Sequence, residues 1–157
     1  HAIKYGYEDE LLSKHLARHV SSGSGYSFNE FVDYLSDIDL RNCNIHHMRQ
    51  AHVLEETGAV SPRYIVRIED GLAMRLHSIE NELGLKDSRD VIGDFSLSHH
   101  HTKRDVRAGY FGDQIYCRDN QPTSWPKFEC FYNQFTGKLV QELYVSDFEL
   151  YGYEFVY

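Results

Sequence analysis

The run Ser27-Phe28-Asn29-Glu30-Phe31-Val32-Asp33-Tyr34-Leu35 constrains this chain more than any other segment. Ser27 followed by Glu30 is a capping box. The Ser27 hydroxyl accepts from the third helical amide, and the Glu30 carboxylate reaches back to the Ser27 amide. Phe28, Phe31, Val32 and Leu35 then recur at i, i+3, i+4 and i+7, which puts one apolar stripe on one face. The spacing predicts a helix ending near Ser36-Asp37 that must bury this stripe. A chain of 157 residues can do so without disulfides or metal, and its length fits one domain.

Other segments extend the reading. Glu8 to Val20 predicts a helix with Leu11, Leu12, His15, Leu16 and His19 at helical spacing, broken by Ser21-Ser22-Gly23-Ser24-Gly25. Asn44 to Thr57 predicts another, with Ile45, Met48, Val53 and Leu54 inward and Gly58 closing it. Tyr64-Ile65-Val66-Arg67-Ile68 is β-branched and apolar, and predicts a short strand buried on both faces. Asp70 is expected to cap a helix with Leu72, Leu76, Ile79 and Leu83 on one side and Gly84 at its end. A strand feeding a helix implies an α/β layer. Residues 86–126 are polar and irregular, a length that in a compact domain points to function or mobility. Thr136 is expected to cap a last helix carrying Leu139, Val140, Leu143 and Tyr144. The expectation is therefore an α/β fold, mostly helical with few strands, in one domain over residues 1–157.

Composition removes several classes. There are 16 Lys and Arg against 24 Asp and Glu, a net charge of −8, so the chain is no general nucleic-acid binder. No run of about 18 apolar residues occurs to span a membrane, and no basic-then-apolar leader opens the sequence. Cys43, Cys117 and Cys130 form no C-x-x-C pair, which removes zinc-ribbon and thioredoxin motifs. Three unpaired thiols, buried as small apolar residues, are expected, with a Cys117–Cys130 pair in an oxidising compartment as the alternative. The chain opens on His1 rather than Met, and a piece of something longer is expected.

Three groups of residues can carry chemistry. Ser98, His99, His100, His101, Thr102, Lys103 and Arg104 gather cations and hydroxyls on an acidic chain. Such a loop suits a phosphate or sulfate; its alternatives are a solvated loop and a metal site. Three consecutive histidines seldom aim at one ion, so no metal is expected. His46-His47-Met48-Arg49-Gln50 is the second group: on a helix His46 and Gln50 share a face, a base beside an orienting amide, or else a packed helix-end histidine. Arg67 and Glu69 form the third, at the carboxyl end of the expected strand where α/β sheets bind ligands. There Glu69 binds substrate, caps the next helix or pairs in a salt bridge. No GxxxxGK[ST], GxGxxG, GxSxG or HExxH occurs.

Taken in order, these pieces resemble a known family. They are the Phe28–Leu35 helix, His46-x-x-x-Gln50, the apolar run into Glu69, the His99-His100-His101-Thr102 loop, and Tyr144-Val145-Ser146-Asp147-Phe148-Glu149-Leu150-Tyr151-Gly152-Tyr153. The succession resembles the C-terminal part of the carbohydrate-type sulfotransferases of family 2, over about residues 26–153. Arg49 departs from the family's usual Pro. The family's phosphate-binding loop and its Arg…Ser segment lie upstream and have no counterpart here, so the resemblance implies a fragment lacking most of the nucleotide site.

The resemblance implies a P-loop-like sulfotransferase fold and sulfuryl transfer from 3′-phosphoadenosine 5′-phosphosulfate to a hydroxyl of a glycan or other acceptor. His46 would be the catalytic base, and Ser98 to Arg104 would close over the donor. His47, Gln50, Arg67 and Glu69 would meet the acceptor. Eukaryotic members imply the Golgi lumen with an anchor outside this segment, and bacterial ones the cytoplasm. A non-catalytic carbohydrate-binding module is the alternative, with the 12 Tyr and Trp125 supplying stacking faces.

Overall fold

The computed structural model describes residues 2–68, 71–89, 104–105 and 109–154. Seven α-helices are present among them: α1 (Ala2–Tyr5), α2 (Asp9–His15), α3 (Phe28–Ser36), α4 (Val53–Glu56), α5 (Leu72–Leu83), α6 (Gln134–Leu143) and α7 (Val145–Tyr151). Two short strands, β1 (Arg104–Asp105) and β2 (Trp125–Pro126), pair in parallel, Arg104 opposite Trp125. The described part is thus α-rich. The expected strand–helix layering does not form among the described residues. No helix among them is long and apolar enough to cross a membrane.

Helix α3 is the hub. Glu30 N–H donates to Ser27 Oγ at 3.1 Å and Ser27 N–H donates to Glu30 Oε2 at 2.8 Å, closing the expected capping box. Arg18 Nη2 donates to the other oxygen of Glu30 at 2.6 Å, which ties the loop after α2 to the start of α3. Val32, Tyr34 and Leu35 are buried on α3, and α2 and α6 both pack against it. Leu12 of α2 is fully buried, in one cluster with Val20, Tyr26, Tyr34, Leu35 and Leu40. Filling such a position is worth about 2 kcal/mol per large aliphatic side chain.

The structure corrects several expectations. Residues 64–67 carry no regular secondary structure, and Ile65 and Ile68 are 49% and 71% exposed. A β-branched run becomes a strand only against a neighbour that completes its ladder, and none pairs with it among the described residues. The expected helix from Asn44 to Thr57 is a series of turns with only α4 helical, and Ile45 points outward. The reason is local: Asn44 Oδ1 accepts from the His46 amide at 3.1 Å, an Asx turn that competes with helix. Helix α2 stops at His15, short of Val20. Asn133 caps α6 and Thr136 is its reciprocal partner, reversing the expected roles. Gly84 does close α5 in the left-handed conformation, but α5 buries none of its residues. All three cysteines are free thiols, as the unpaired reading has it, though each is half-buried rather than buried.

One long-range bridge closes the fold. Tyr26 N–H donates to Tyr116 O at 3.1 Å, and Tyr116 N–H donates to Tyr26 O at 3.0 Å. Gly25 turns the chain into it with φ +57°, and a Cβ there would collide with the Tyr116 carbonyl. Gly25→Ala combines left-handed strain with that collision. It should cost more than about 2 kcal/mol in urea unfolding, against about 1 kcal/mol for Ser27→Ala, which removes only the cap.

Candidate functional site

The capping box also builds a cleft. Tyr26, the residue before the Ser27 cap, stacks on Phe31 with centroids 5.9 Å apart, a staple across the first turn of α3. Phe28 meets Tyr132 edge-on at 4.8 Å. The facing wall is Tyr116 against Trp125 at 4.8 Å and against Phe131 at 5.9 Å. These rings, with Ala2 and Ile3 of α1 and the side chains of His46 and His47, line a cavity of about 310 Å³.

The segment bearing the two histidines is held by the C-terminal helices. Asp147, buried on α7, accepts from Gln50 N–H at 3.0 Å and from Ala51 N–H at 2.7 Å. The Tyr144 hydroxyl donates to His47 O at 2.5 Å, and Arg49 Nε donates to Leu143 O at 2.8 Å. Arg49 N–H donates to Leu40 O at 3.0 Å, a bond that proline, lacking that donor, would not make. Arg49 thus makes two bonds that a proline at this position would not make.

The two imidazoles have different surroundings. His46 is exposed, stacks on Tyr7 at 5.3 Å, and donates from Nδ1 to Asn44 Oδ1 at 2.7 Å. In a neutral ring that bond leaves Nε2 as the basic nitrogen. The His47 side chain is 7% exposed, and Phe31 meets it edge-on at 5.6 Å. Its Nε2 is buried without a hydrogen-bond partner, 3.8 Å from Glu8 Oε1. Glu8 is itself buried and accepts from the Tyr34 hydroxyl at 2.8 Å. Burial pulls the His47 imidazole below its ordinary value; the Glu8 carboxyl offsets part of this, and His46 adds to it. The Tyr26 hydroxyl is the second buried polar atom of the cleft without a partner, and burial pushes its phenol up.

The sequence-predicted residues divide between places. His46 and His47 share the aromatic cleft. Gln50 and Arg67 line a second cavity of about 230 Å³ with Tyr64, Tyr151 and Tyr153. Arg67 lies on no strand; its Nη1 donates to Gly152 O at 3.0 Å. Glu69 and the loop residues Ser98, His99, His100, His101, Thr102 and Lys103 lie outside the described residues. The backbone of Arg104 pairs beside Trp125, so the end of that loop lies next to the cleft.

Sequence reasoning missed Glu8, Tyr26 and the clamp by Asp147, and named Trp125 only as a stacking face for a sugar. Only Tyr26 carried a local signal, as an aromatic just before a capping box with Phe31 at the stapling position. It also missed His77, Glu80 and Asp87, whose ligand atoms lie within 4.8 Å of one another. That set has other partners: Arg89 grips Asp87 and holds its carboxyl down at about 2, and Glu80 accepts from Ser88 N–H.

A buried histidine with a depressed native value is protonated more readily in the unfolded chain. Its contribution to stability is complete above the ordinary histidine range and is lost as pH falls toward the native value. Urea unfolding should therefore weaken from pH about 7.5 to about 5.5, and less steeply in His47→Gln. Comparison with family models, with curated proteins and with solved structures gives no match, so the functional reading rests on these residues.

Proposed function

We propose that this chain is the acceptor-side part of a sulfotransferase of P-loop-like fold. It would help move a sulfuryl group from 3′-phosphoadenosine 5′-phosphosulfate to a hydroxyl of a carbohydrate-like acceptor. One observation carries the reading. The two segments most specific to the family resemblance, His46 to Gln50 and Tyr144 to Tyr153, are tied to one another through Asp147, and the histidines so held line a ring-walled cleft.

Each residue then has a task. His46 takes the proton of the acceptor hydroxyl at Nε2 as the acceptor oxygen bonds to sulfur and the sulfur–oxygen bond to the phosphate breaks. Asn44 fixes the tautomer that makes this possible. Lys103 and Arg104, with the hydroxyls of Ser98 and Thr102 and the imidazoles of His99, His100 and His101, offer donors to the phosphate groups and to developing charge. The pairing of Arg104 beside Trp125 supports bringing that loop to the cleft. His47 meets the acceptor in the aromatic cleft, and Gln50, Arg67 and Glu69 meet its more distal groups.

A non-catalytic carbohydrate-binding module is the second reading, favoured by the rings of Trp125 and its neighbours that line the cleft, on which a sugar could stack. One experiment separates the two. The protein, expressed with the coding sequence that precedes His1, is incubated with sulfur-labelled donor and a panel of glycans and simple alcohols. Transfer of label is expected, and His46→Ala should lower kcat by about 100-fold or more with thermal stability retained. Glycan binding without any transfer selects the binding module; neither binding nor transfer overturns both.

A further inference from the structure

A second group of side chains lies outside the aromatic cleft, on α5 and just after it. His77 and Glu80 are three residues apart and share one face of that helix. Gly84 ends the helix in the left-handed conformation, and Leu85 N–H donates to Glu80 O at 2.8 Å, so the chain turns back toward this face. The turn brings Asp87 Oδ1 to 3.5 Å from His77 Nδ1. One imidazole nitrogen and one oxygen from each carboxyl then lie within 4.8 Å of one another.

Three atoms so placed can share one ion. Some point lies within about 2.8 Å of all three, since 4.8/√3 bounds that distance. Zinc bonds to imidazole nitrogen and carboxylate oxygen are about 2.0–2.2 Å long, so small side-chain rotations close the set. The His77–Asp87 separation already fits: two ligands about 2.1 Å from a tetrahedral ion stand about 3.4 Å apart. His77 Nδ1 is also buried without a hydrogen-bond partner, although this carboxylate is its neighbour. A buried polar atom in that state is costly, and a metal bond satisfies it.

The remaining partners are of the kind that orient metal ligands from outside. Ser88 N–H donates to Glu80 Oε2 at 3.0 Å, and Glu80 Oε1 has no partner among the described residues. Arg89 grips Asp87 from Nε at 2.9 Å and Nη2 at 2.6 Å and keeps it ionised. A carboxylate offers about four lone-pair sites, so a gripped Asp87 still has room to coordinate. Two carboxylates against one guanidinium also leave a negative charge for a cation. Asn81 Nδ2 lies 3.0 Å from His77 Nε2; a half-turn of that carboxamide presents Oδ1, which holds the proton on Nε2 and the lone pair on Nδ1.

We propose that His77 Nδ1, Glu80 and Asp87 bind a zinc ion, with water in the fourth position. One nitrogen and two oxygens suit zinc better than calcium or magnesium, which take oxygen ligands. The role is structural. Helix α5 buries none of its residues, and the ion pins residues 85–89 to it, so binding stabilises this segment directly. The site is independent of the sulfotransferase reading, which places no residue there.

Zinc chloride is titrated by calorimetry into the full chain with its thiols reduced, in the parent, in His77→Ala and in Glu80→Gln. Because α5 buries none of its residues, both variants should unfold in urea as the metal-free parent does. The parent should bind one equivalent with Kd on the order of micromolar, weakened at least tenfold in either variant. The run His99-His100-His101 is a competing donor. The triple variant His99→Ala, His100→Ala, His101→Ala should therefore keep the equivalent that His77→Ala loses. Zinc should also slow amide exchange over residues 85–89 in the parent and not in His77→Ala. Unchanged stoichiometry and affinity in both single variants would overturn the proposal. So would loss of all zinc binding in the triple variant, or parent binding no tighter than about 1 mM.

Discussion

The arrangement of this molecule depends on one buried carboxylate. Asp147 sits near the start of α7, and its two oxygens receive the amides of Gln50 and Ala51. A carboxylate is costly to bury unless its lone pairs are filled, and two backbone N–H donors fill them with charge-assisted bonds worth roughly 1.5 to 3 kcal/mol each. These bonds cross 96 and 97 residues of sequence. They fix the irregular segment 44–52, which has little helix of its own, at the mouth of the aromatic cleft. Tyr144 and Arg49 add bonds around the same point. Without this clamp the two histidines would ride on a surface turn.

The second support is α3, whose capping box does more than start a helix. Ser27 and Glu30 set the angle at which the chain arrives, Arg18 secures Glu30, and Tyr26 is thereby laid on Phe31 and paired with Tyr116. The core on one side of α3 and the cleft beside its first turn share this geometry. The ring-lined wall and the buried Glu8 and His47 pair are therefore consequences of how α3 is entered.

Much of this was legible where the cause is local. The limits of α3 follow from a capping box and a stripe that act within one turn, and the end of α5 from Gly84. The start of α6 was missed by three residues because Asn133 and Thr136 are both capping types and cap each other, so either reads as the cap. Tyr64 to Ile68 reads as a strand by propensity, but a ladder needs a partner that propensity does not supply. Asn44 diverts its neighbours into a turn by a side-chain bond, which a periodicity argument does not register. The candidate site was half legible. His46 and His47 stand out as titratable neighbours, whereas Glu8, Tyr116 and Trp125 join them only through contacts distant in sequence. Gln50 faces a different cavity from His46 because the helix that would have put them on one face does not form.

The measurement that tests this account most directly is amide hydrogen exchange at Gln50 and Ala51, in the parent chain and in Asp147→Ala. The account predicts both amides protected well beyond those of their surface-turn neighbours in the parent, with that protection lost in the variant while α3 stays protected. Exchange at Gln50 and Ala51 at the rate of an unstructured peptide in the parent, or protection unchanged by the substitution, would contradict it.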